Sequence, residues 1–239
     1  MKYLALMVLP VIACSALAEE DPFAGGEPNK AVVEKDDAFE VVADPAGKAY
    51  FPEGRASYYT KELLAMKEPS VLSPLEKGVD RVFRFTCLRS FHDPLVVRIT
   101  EAGGIVTARA VQLHRDESYR PVGIVHDKTW ELDEKSKKAI AEIVPTRKDF
   151  WMPLSDAEET LSGLDGSTWI FEVHDKEGYR MVDVWSPGVL SSMDMEEMKK
   201  MLDGRGLDLS KIRDFRVYKR TGEKLLEIGE ILPKPEERY

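Results

Sequence analysis

The chain has 239 residues, 43% of them hydrophobic and 32% charged, with a net charge of −9. That length suits one large or two small domains, and the apolar fraction is enough for a sizeable core. The acidic balance argues against general nucleic-acid binding, which needs a basic patch to displace counterions from phosphates; its plain reading is solubility.

Residues 1–18 read as an export signal. Lys2 gives the positive start, Tyr3 to Ala13 an apolar core, and Ala16-Leu17-Ala18 a small-residue cleavage site. The apolar run is too short to span a bilayer as a helix. A second reading of the same residues stays open: Val11-Ile12-Ala13-Cys14 resembles the bacterial lipoprotein signal, in which Cys14 becomes the lipidated first residue. Either way the expected location is outside the cytoplasm, in the periplasm or anchored to the outer membrane through lipid on Cys14. Removal of the signal leaves at most one unmodified cysteine, Cys87, and so no intrachain disulfide. Cys87 sits in a strand pattern and reads as a small buried hydrophobe rather than a nucleophile.

Residues 19–48 are polar and acidic, punctuated by Gly25-Gly26, Pro28 and Pro45, and read as a flexible tether. Within them Val32-Val33 and Phe39 to Val42 are a candidate short strand. Residues 49–239 are expected to form a single α+β domain. Tyr58 to Lys67 reads as a short helix before Pro69, followed by a connector to Gly78.

Four strands follow. Arg81 to Leu88 alternates, with Phe83, Phe85 and Cys87 on one side and Val82, Arg84, Thr86 and Leu88 on the other. Leu95 to Thr100 and Ile105 to Leu113 flank the turn signal Glu101-Ala102-Gly103-Gly104. Pairing Ile99 with Val106 gives an apolar face of Leu95, Val97, Ile99, Val106, Ala108 and Ala110, and an opposite face with Arg98, Thr107 and Arg109. His114 to Pro121 reads as a loop and Val122 to Val125 as a shorter fourth strand.

Asp133 is placed to cap a helix running to about Val144, where Pro145 ends it. Phe150, Trp151 and Leu154 are expected to pack inward, and Ser155 to Ser162 to form an acidic loop. Ser191 with Asp194 resembles a capping box for a helix through Asp203, with an apolar stripe of Met195, Met198, Met201 and Leu202 and a stop at Gly204. Ile212 to Ile231 is read as a last hairpin turning at Thr221-Gly222, and Lys234 to Tyr239 as a fraying end.

Between these helices lies the hairpin from Gly163 to Pro187, GLDGSTWIFEVHDKEGYRMVDVWSP. Thr168 to His174 and Tyr179 to Trp185 are rich in β-branched and aromatic residues, and Asp175-Lys176-Glu177-Gly178 is a turn. The short loop sets a register: His174 faces Tyr179, Glu172 faces Met181, Ile170 faces Asp183 and Thr168 faces Trp185. Trp169, Phe171, Val173, Val182 and Val184 then form a dry face, with Arg180 near the turn. Ile170, Glu172, His174, Tyr179, Met181, Asp183 and Trp185 form a mixed, wet one. The segments GLDGSTW, GY and VDVWSP, with RVFRFTCLRSFHDPLVVRI upstream, resemble an uncharacterised bacterial family of exported proteins and lipoproteins. The resemblance covers roughly Asp80 to Pro187. An arginine often precedes the Trp-Ser-Pro of that family, where this chain has Val184. The resemblance implies kinship and no activity.

The sequence has no glycine-rich phosphate loop, GxSxG elbow, HExxH or CxxC pair, and His92, His114, His126 and His174 are scattered. No cofactor or metal is expected. If the two hairpins share a sheet, its outward face gathers Arg84, Arg98, Arg109, His174, Tyr179 and Trp185 as candidate ligand contacts, with Glu172 and Asp183 on diagonal positions. One reading is a set of cross-strand ion pairs; another is a polar groove for an anionic or sugar-like ligand. The expectation is therefore an antiparallel sheet of about six strands, two or three helices on its apolar face and a C-terminal hairpin. The expected role is a non-enzymatic envelope module that binds another protein or a saccharide. The alternative is a hydrolase of a sugar or other envelope component, with Glu172 and Asp183 as acid and base.

Overall fold

The computed structural model describes residues 49–52, 57–144, 148–163, 165–202, 205, 207–208, 212–231 and 233, all within one compact unit. The expected signal, Cys14 and the tether lie outside the described residues.

The architecture follows from one strand, β1 (Val79–Arg89), which is flanked on both sides by antiparallel partners. From Arg84 to Arg89 it is buried on both faces. β2 (Leu95–Ala102), β3 (Ile105–Arg115) and β4 (Pro121–Glu131) extend the sheet one way as a meander. β5 (Ser167–Asp175) returns to the other side of β1, and β6 (Gly178–Trp185) closes it, giving the order β4-β3-β2-β1-β5-β6. The six-stranded antiparallel sheet is thus as the sequence implies.

The expected register of the β5–β6 hairpin holds at every position: His174 faces Tyr179, Glu172 Met181, Ile170 Asp183 and Thr168 Trp185. In the β2–β3 hairpin the turn tightens to Gly103-Gly104, both at positive φ, so Ile99 faces Ala108 instead of Val106. The slip is two residues, an even number, so each side chain stays on its expected face. β3 and β4 run further than expected, into the stretch read as a loop from His114.

Helices cover the dry face. α2 (Glu134–Ile143) starts at Asp133, whose carboxylate accepts from Ser136 N. A 3-10 turn over Lys148–Trp151 and α3 (Asp156–Thr160) follow. Then come α4 (Pro187–Leu190), α5 (Met195–Leu202) and α6 (Phe215–Ile228). All of them deliver side chains to one cluster with Phe83, Phe85, Val97, Ile99, Trp169, Phe171 and Val184 of the sheet.

Four expectations need correction. The acidic stretch from Ser155 is helix α3, because Ser155 and Glu158 cap each other reciprocally. The capping box ahead of α5 is Asp194 with Glu197, three residues later than expected. Within the stripe of α5, Met198 and Leu202 are buried but Met201 faces solvent. The C-terminal hairpin is instead the helix α6: Phe215, Tyr218, Thr221, Gly222, Leu225 and Leu226 recur at helical spacing and are buried. Gly222 is not a turn residue. It seats the Trp169 ring, which would lie 2.2 Å from any Cβ at that position.

The mixed face is covered too. Tyr50, Phe51 and α1 (Ser57–Ala65) lie over it, and Leu63 and Met66 pack with Leu88, Val96, Val111, Leu113 and Ile170 in a second cluster. The sheet is therefore the middle of three layers, and the face expected to be wet is buried over Arg84, Ile170, Glu172 and Asp183 and half-buried at His174, Tyr179, Met181 and Trp185.

Candidate functional site

On the covered face, strand register places Glu172, Arg84, Arg98 and Arg109 in one row across β5, β1, β2 and β3. Three like charges in line repel, so the row exists only because acids and carbonyls meet it from above. Arg84 donates to both oxygens of Glu172, Nε to Oε2 at 2.7 Å and Nη2 to Oε1 at 2.9 Å, and neither side chain is exposed (0%). Tyr179 adds a third donor to Glu172 at 3.0 Å. Glu68, just beyond α1, bridges the other two guanidinium groups, Arg98 at 3.5 Å and Arg109 more closely. Arg109 is also held bidentately by Asp127. Pro69 O accepts from Arg84 and Arg98, and Tyr50 OH donates to Glu68 O.

Burial works to lower the pKa of Arg84, but the field and hydrogen bond of Glu172 outweigh it and the pKa is raised. For Arg98 burial prevails over Glu68, helped by the neighbouring charge of Arg84, and the pKa is lowered. A guanidinium stays charged through such shifts. Burial pushes the Tyr179 hydroxyl strongly up, and the Glu172 charge reinforces it, so it serves as a donor. His174 Nδ1 lies 2.9 Å from Val71 O, and Asp183 accepts from Tyr59 OH at 3.4 Å. Three arginines thus meet the carboxylates of Glu172, Glu68 and Asp127, and the cover over the sheet is fastened by the same contacts. Of the candidate positions, Arg84, Arg98, Arg109, Glu172 and Tyr179 come together as an internal network with Glu68, and the His174 ring lies beside it, 6.2 Å from that of Tyr179. Asp183 sits beside it, on the same face of β6, and is 8% exposed.

Trp185 belongs elsewhere, at the end of the sheet. Its indole Nε1 donates to Asp165 O at 3.1 Å. Gly163 lets the ring lie close: a Cβ there would meet its Cζ2 at 2.8 Å. Gly166 has φ +135°, and a Cβ there would meet Ser186 Oγ at 2.3 Å and Trp185 Nε1 at 2.9 Å. Ser186 itself takes a left-handed backbone, φ 36°, fixed by Ser167 N donating to its hydroxyl and by its own N–H donating to Ser167 O. The glycines of GLDGS and the Trp-Ser of VDVWSP are therefore one clasp, joined across the mouth of the hairpin.

The clasp borders a cavity of about 200 Å³ lined by Glu62, Leu88, Arg89, Ser90, Arg115, Gly163, Gly166, Thr168 and Trp185. No protein-family model matches the chain, and no curated protein does. Arg89 donates through Nε and Nη2 to Asp93 O, and Arg115 donates through Nη2 to Arg89 O and His92 O. Arg115 Nη1 is 3.9 Å from Glu62 Oε1. Glu62 Oε2 and Arg115 Nε are buried without a hydrogen-bond partner. Burial raises the Glu62 carboxyl above its ordinary range, against the opposing pull of its backbone hydrogen bond and of Arg115. Among the described residues no group of three or more His, Cys, Asp and Glu side chains is placed to hold a metal, and no helix is long and apolar enough to cross a membrane.

Glu62, Arg89 and Arg115 escape a reading by strand alternation. They come from the covering helix, the end of β1 and the end of β3, where alternation says nothing about what faces a neighbour. The only sequence signal is composition: arginine ends both strands just where the Trp-Ser-Pro clasp lies.

Proposed function

We propose that this protein is an exported, non-enzymatic module of the cell envelope, and that its ligand contact is the Trp185 cavity rather than the arginine row. The observation that carries this is the state of Glu172. Both of its oxygens are occupied by Arg84 and Tyr179 without any exposure, so a substrate has no route to the acid that a hydrolase reading requires. The row fastens the cover to the sheet, and the concave polar surface at the clasp is left for recognition. Export rests on the pattern of residues 1–18 and on the resemblance to exported families; Cys14 is the lipid attachment point if the lipoprotein signal is the one used. The partner is an envelope protein or saccharide.

A chromogenic glycosidase and esterase screen of the full chain tests the absence of catalysis. Turnover that disappears in Asp183→Asn, with thermal stability unchanged, overturns the reading. Cell fractionation with metabolic lipid labelling of wild type and Cys14→Ser tests location. Label on wild type alone selects the anchored form, an unlabelled periplasmic protein the soluble one, and a cytoplasmic protein refutes export.

A further inference from the structure

The end of the sheet that carries the cavity also holds two aromatic rings out into solvent. Phe91, in the loop from β1 to β2, is 51% exposed, and Tyr119, in the loop from β3 to β4, is 49% exposed. They meet edge to face with centroids 6.0 Å apart. Neither loop is slack. Asp116 Oδ1 accepts from Ser118 N and Arg120 N, Asp116 O accepts from Tyr119 N, and Asp116 N donates to Arg120 O. In the other loop Ser90 N donates to Gly166 O, and Asp93 Oδ1 accepts from Arg115 N. Tyr119 is thereby kept at φ 60°, a left-handed backbone unfavourable for a bulky residue. Lys67 and Glu230, also at positive φ, follow the ends of α1 and α6, where such a residue is ordinary. Tyr119 ends no helix. Rigid aromatic rings facing solvent are the usual anchors of protein recognition, because they bury a large area with little loss of freedom.

The same two loops supply donors to the cavity. Ser90 lines it one residue before Phe91, and Arg115 lines it from the end of β3. Arg115 keeps 10% of its side chain exposed. Its Nε is buried and its Nη2 is taken by Arg89 O and His92 O, so Nη1 is the guanidinium nitrogen left to the cavity. At 3.9 Å, Glu62 Oε1 is beyond hydrogen-bond reach of it. Ser90 Oγ accepts from Gly166 N, which leaves its proton to donate, and Thr168 sets a second hydroxyl on the wall. In charge, the lining has two guanidinium groups against the one carboxylate of Glu62. The nearby Asp93 carboxylate is turned to Arg115 N and His114 Nδ1. A donor-rich wall of net positive charge complements a carboxylate, and the adjoining rings complement an apolar side chain.

From this we infer that the cavity and the Phe91–Tyr119 pair form one recognition surface for an acidic peptide segment of a partner protein. A carboxylate of the segment enters the cavity to meet Arg115, Ser90 and Thr168, and an apolar neighbour rests on the two rings. This rests on the reading of the Trp185 cavity as the contact site and names the partner class.

The test is a titration of the isotope-labelled full chain followed by NMR at the Trp185 indole N–H, beside the cavity, and at the Phe91 backbone N–H. Trp185→Phe and Phe91→Leu assign the two resonances. The probes are a blocked hexapeptide with one glutamate among leucines, the same peptide with glutamine for glutamate, the same with glycines for leucines, and galacturonate. The first peptide is expected to shift both resonances saturably. The glutamine peptide should bind at least about tenfold more weakly, the factor given by loss of a charge-assisted hydrogen bond, and the glycine peptide should also bind more weakly. Tyr119→Gly, which keeps the fold because glycine adopts this φ freely, should weaken the leucine peptide. Glu62→Gln removes the opposing charge and should tighten it by about three- to tenfold. Equal affinity for the glutamate and glutamine peptides overturns the carboxylate contact, and unchanged binding in Tyr119→Gly overturns the aromatic one. Galacturonate binding as tightly as the leucine peptide overturns a peptide partner in favour of an acidic sugar and leaves the cavity as the contact site. A Trp185 shift from a solubilised envelope extract with none from these probes overturns this inference alone. No shift from either overturns the contact site as well.

Discussion

Replacing Arg84 by methionine tests whether the buried row fastens the cover. The substitution removes two hydrogen bonds to Glu172, at 2.7 and 2.9 Å, and one to Pro69 O at 2.8 Å. Glu172 is left buried with Tyr179 as its remaining hydrogen-bond donor from a side chain, and Pro69 O retains Arg98 at 3.3 Å. Removing one partner of a buried pair costs about 3–5 kcal/mol because the other charge stays desolvated. Against a total stability of about 5–15 kcal/mol that is a large share. In a chain of this size it lowers Tm by about 6–20 °C. The double variant Arg84→Met/Glu172→Leu removes both charges and should recover about 2 kcal/mol or more relative to the sum of the single changes. Urea unfolding followed by far-ultraviolet circular dichroism, with unchanged slope, measures both numbers. A loss below about 1 kcal/mol for Arg84→Met, the range of a solvated surface pair, refutes the reasoning. Additivity in the double variant does the same.

The remaining expectations concern the clasp, the cavity and the core. Gly166→Ala forces a Cβ to 2.3 Å from Ser186 Oγ at φ +135°, and should destabilise by about 1–3 kcal/mol, whereas Gly104→Ala, at positive φ with open space around it, should lose only about 1 kcal/mol; equal losses in thermal melts speak against a packed clasp. Glu62 is expected to make stability depend on pH. Its carboxyl is raised by burial above its ordinary 4.5, so the folded chain holds that proton more tightly than the unfolded one. Below pH 4.5 both states are protonated and nothing is lost; as pH rises past 4.5 the unfolded chain ionises first, and stability falls until the folded carboxyl ionises as well. Glu62→Gln should therefore be the more stable protein at pH 7, with the difference closing below pH 4.5, and a variant less stable than wild type at pH 7 contradicts this. Cys87, buried with its thiol pushed up to about 12, should resist iodoacetamide in the native state and react only on unfolding; rapid labelling of folded protein would place it at an accessible surface.

Residue order alone goes far with the strands. Alternation assigned Phe83, Phe85 and Cys87, Val97 and Ile99, and Trp169 and Phe171 to one face, because parity survives even a two-residue slip at Gly103-Gly104. The β5–β6 register was readable because Lys176 and Glu177 leave no slack in the turn. Local chemistry likewise placed α2 from Asp133. It failed at α6, where the turn signal Thr221-Gly222 hid a helical repeat from Phe215 to Leu226 that was present in the same letters.

For the site, the sequence brought Arg84, Arg98, Arg109 and Glu172 to one face, and this held. It had no means of saying whether that face meets water. Exposure is decided by what packs from outside the sheet, and the covering residues Tyr50, Leu63, Met66 and Glu68 belong to the segment before β1, outside the strands whose alternation was read. The chain's own order thus settled which side chains share a face of the sheet. Only the tertiary structure decided that the charged face is an internal fastening and that a polar hollow opens beside Trp185, because burial is a property of layers brought together and not of any one strand.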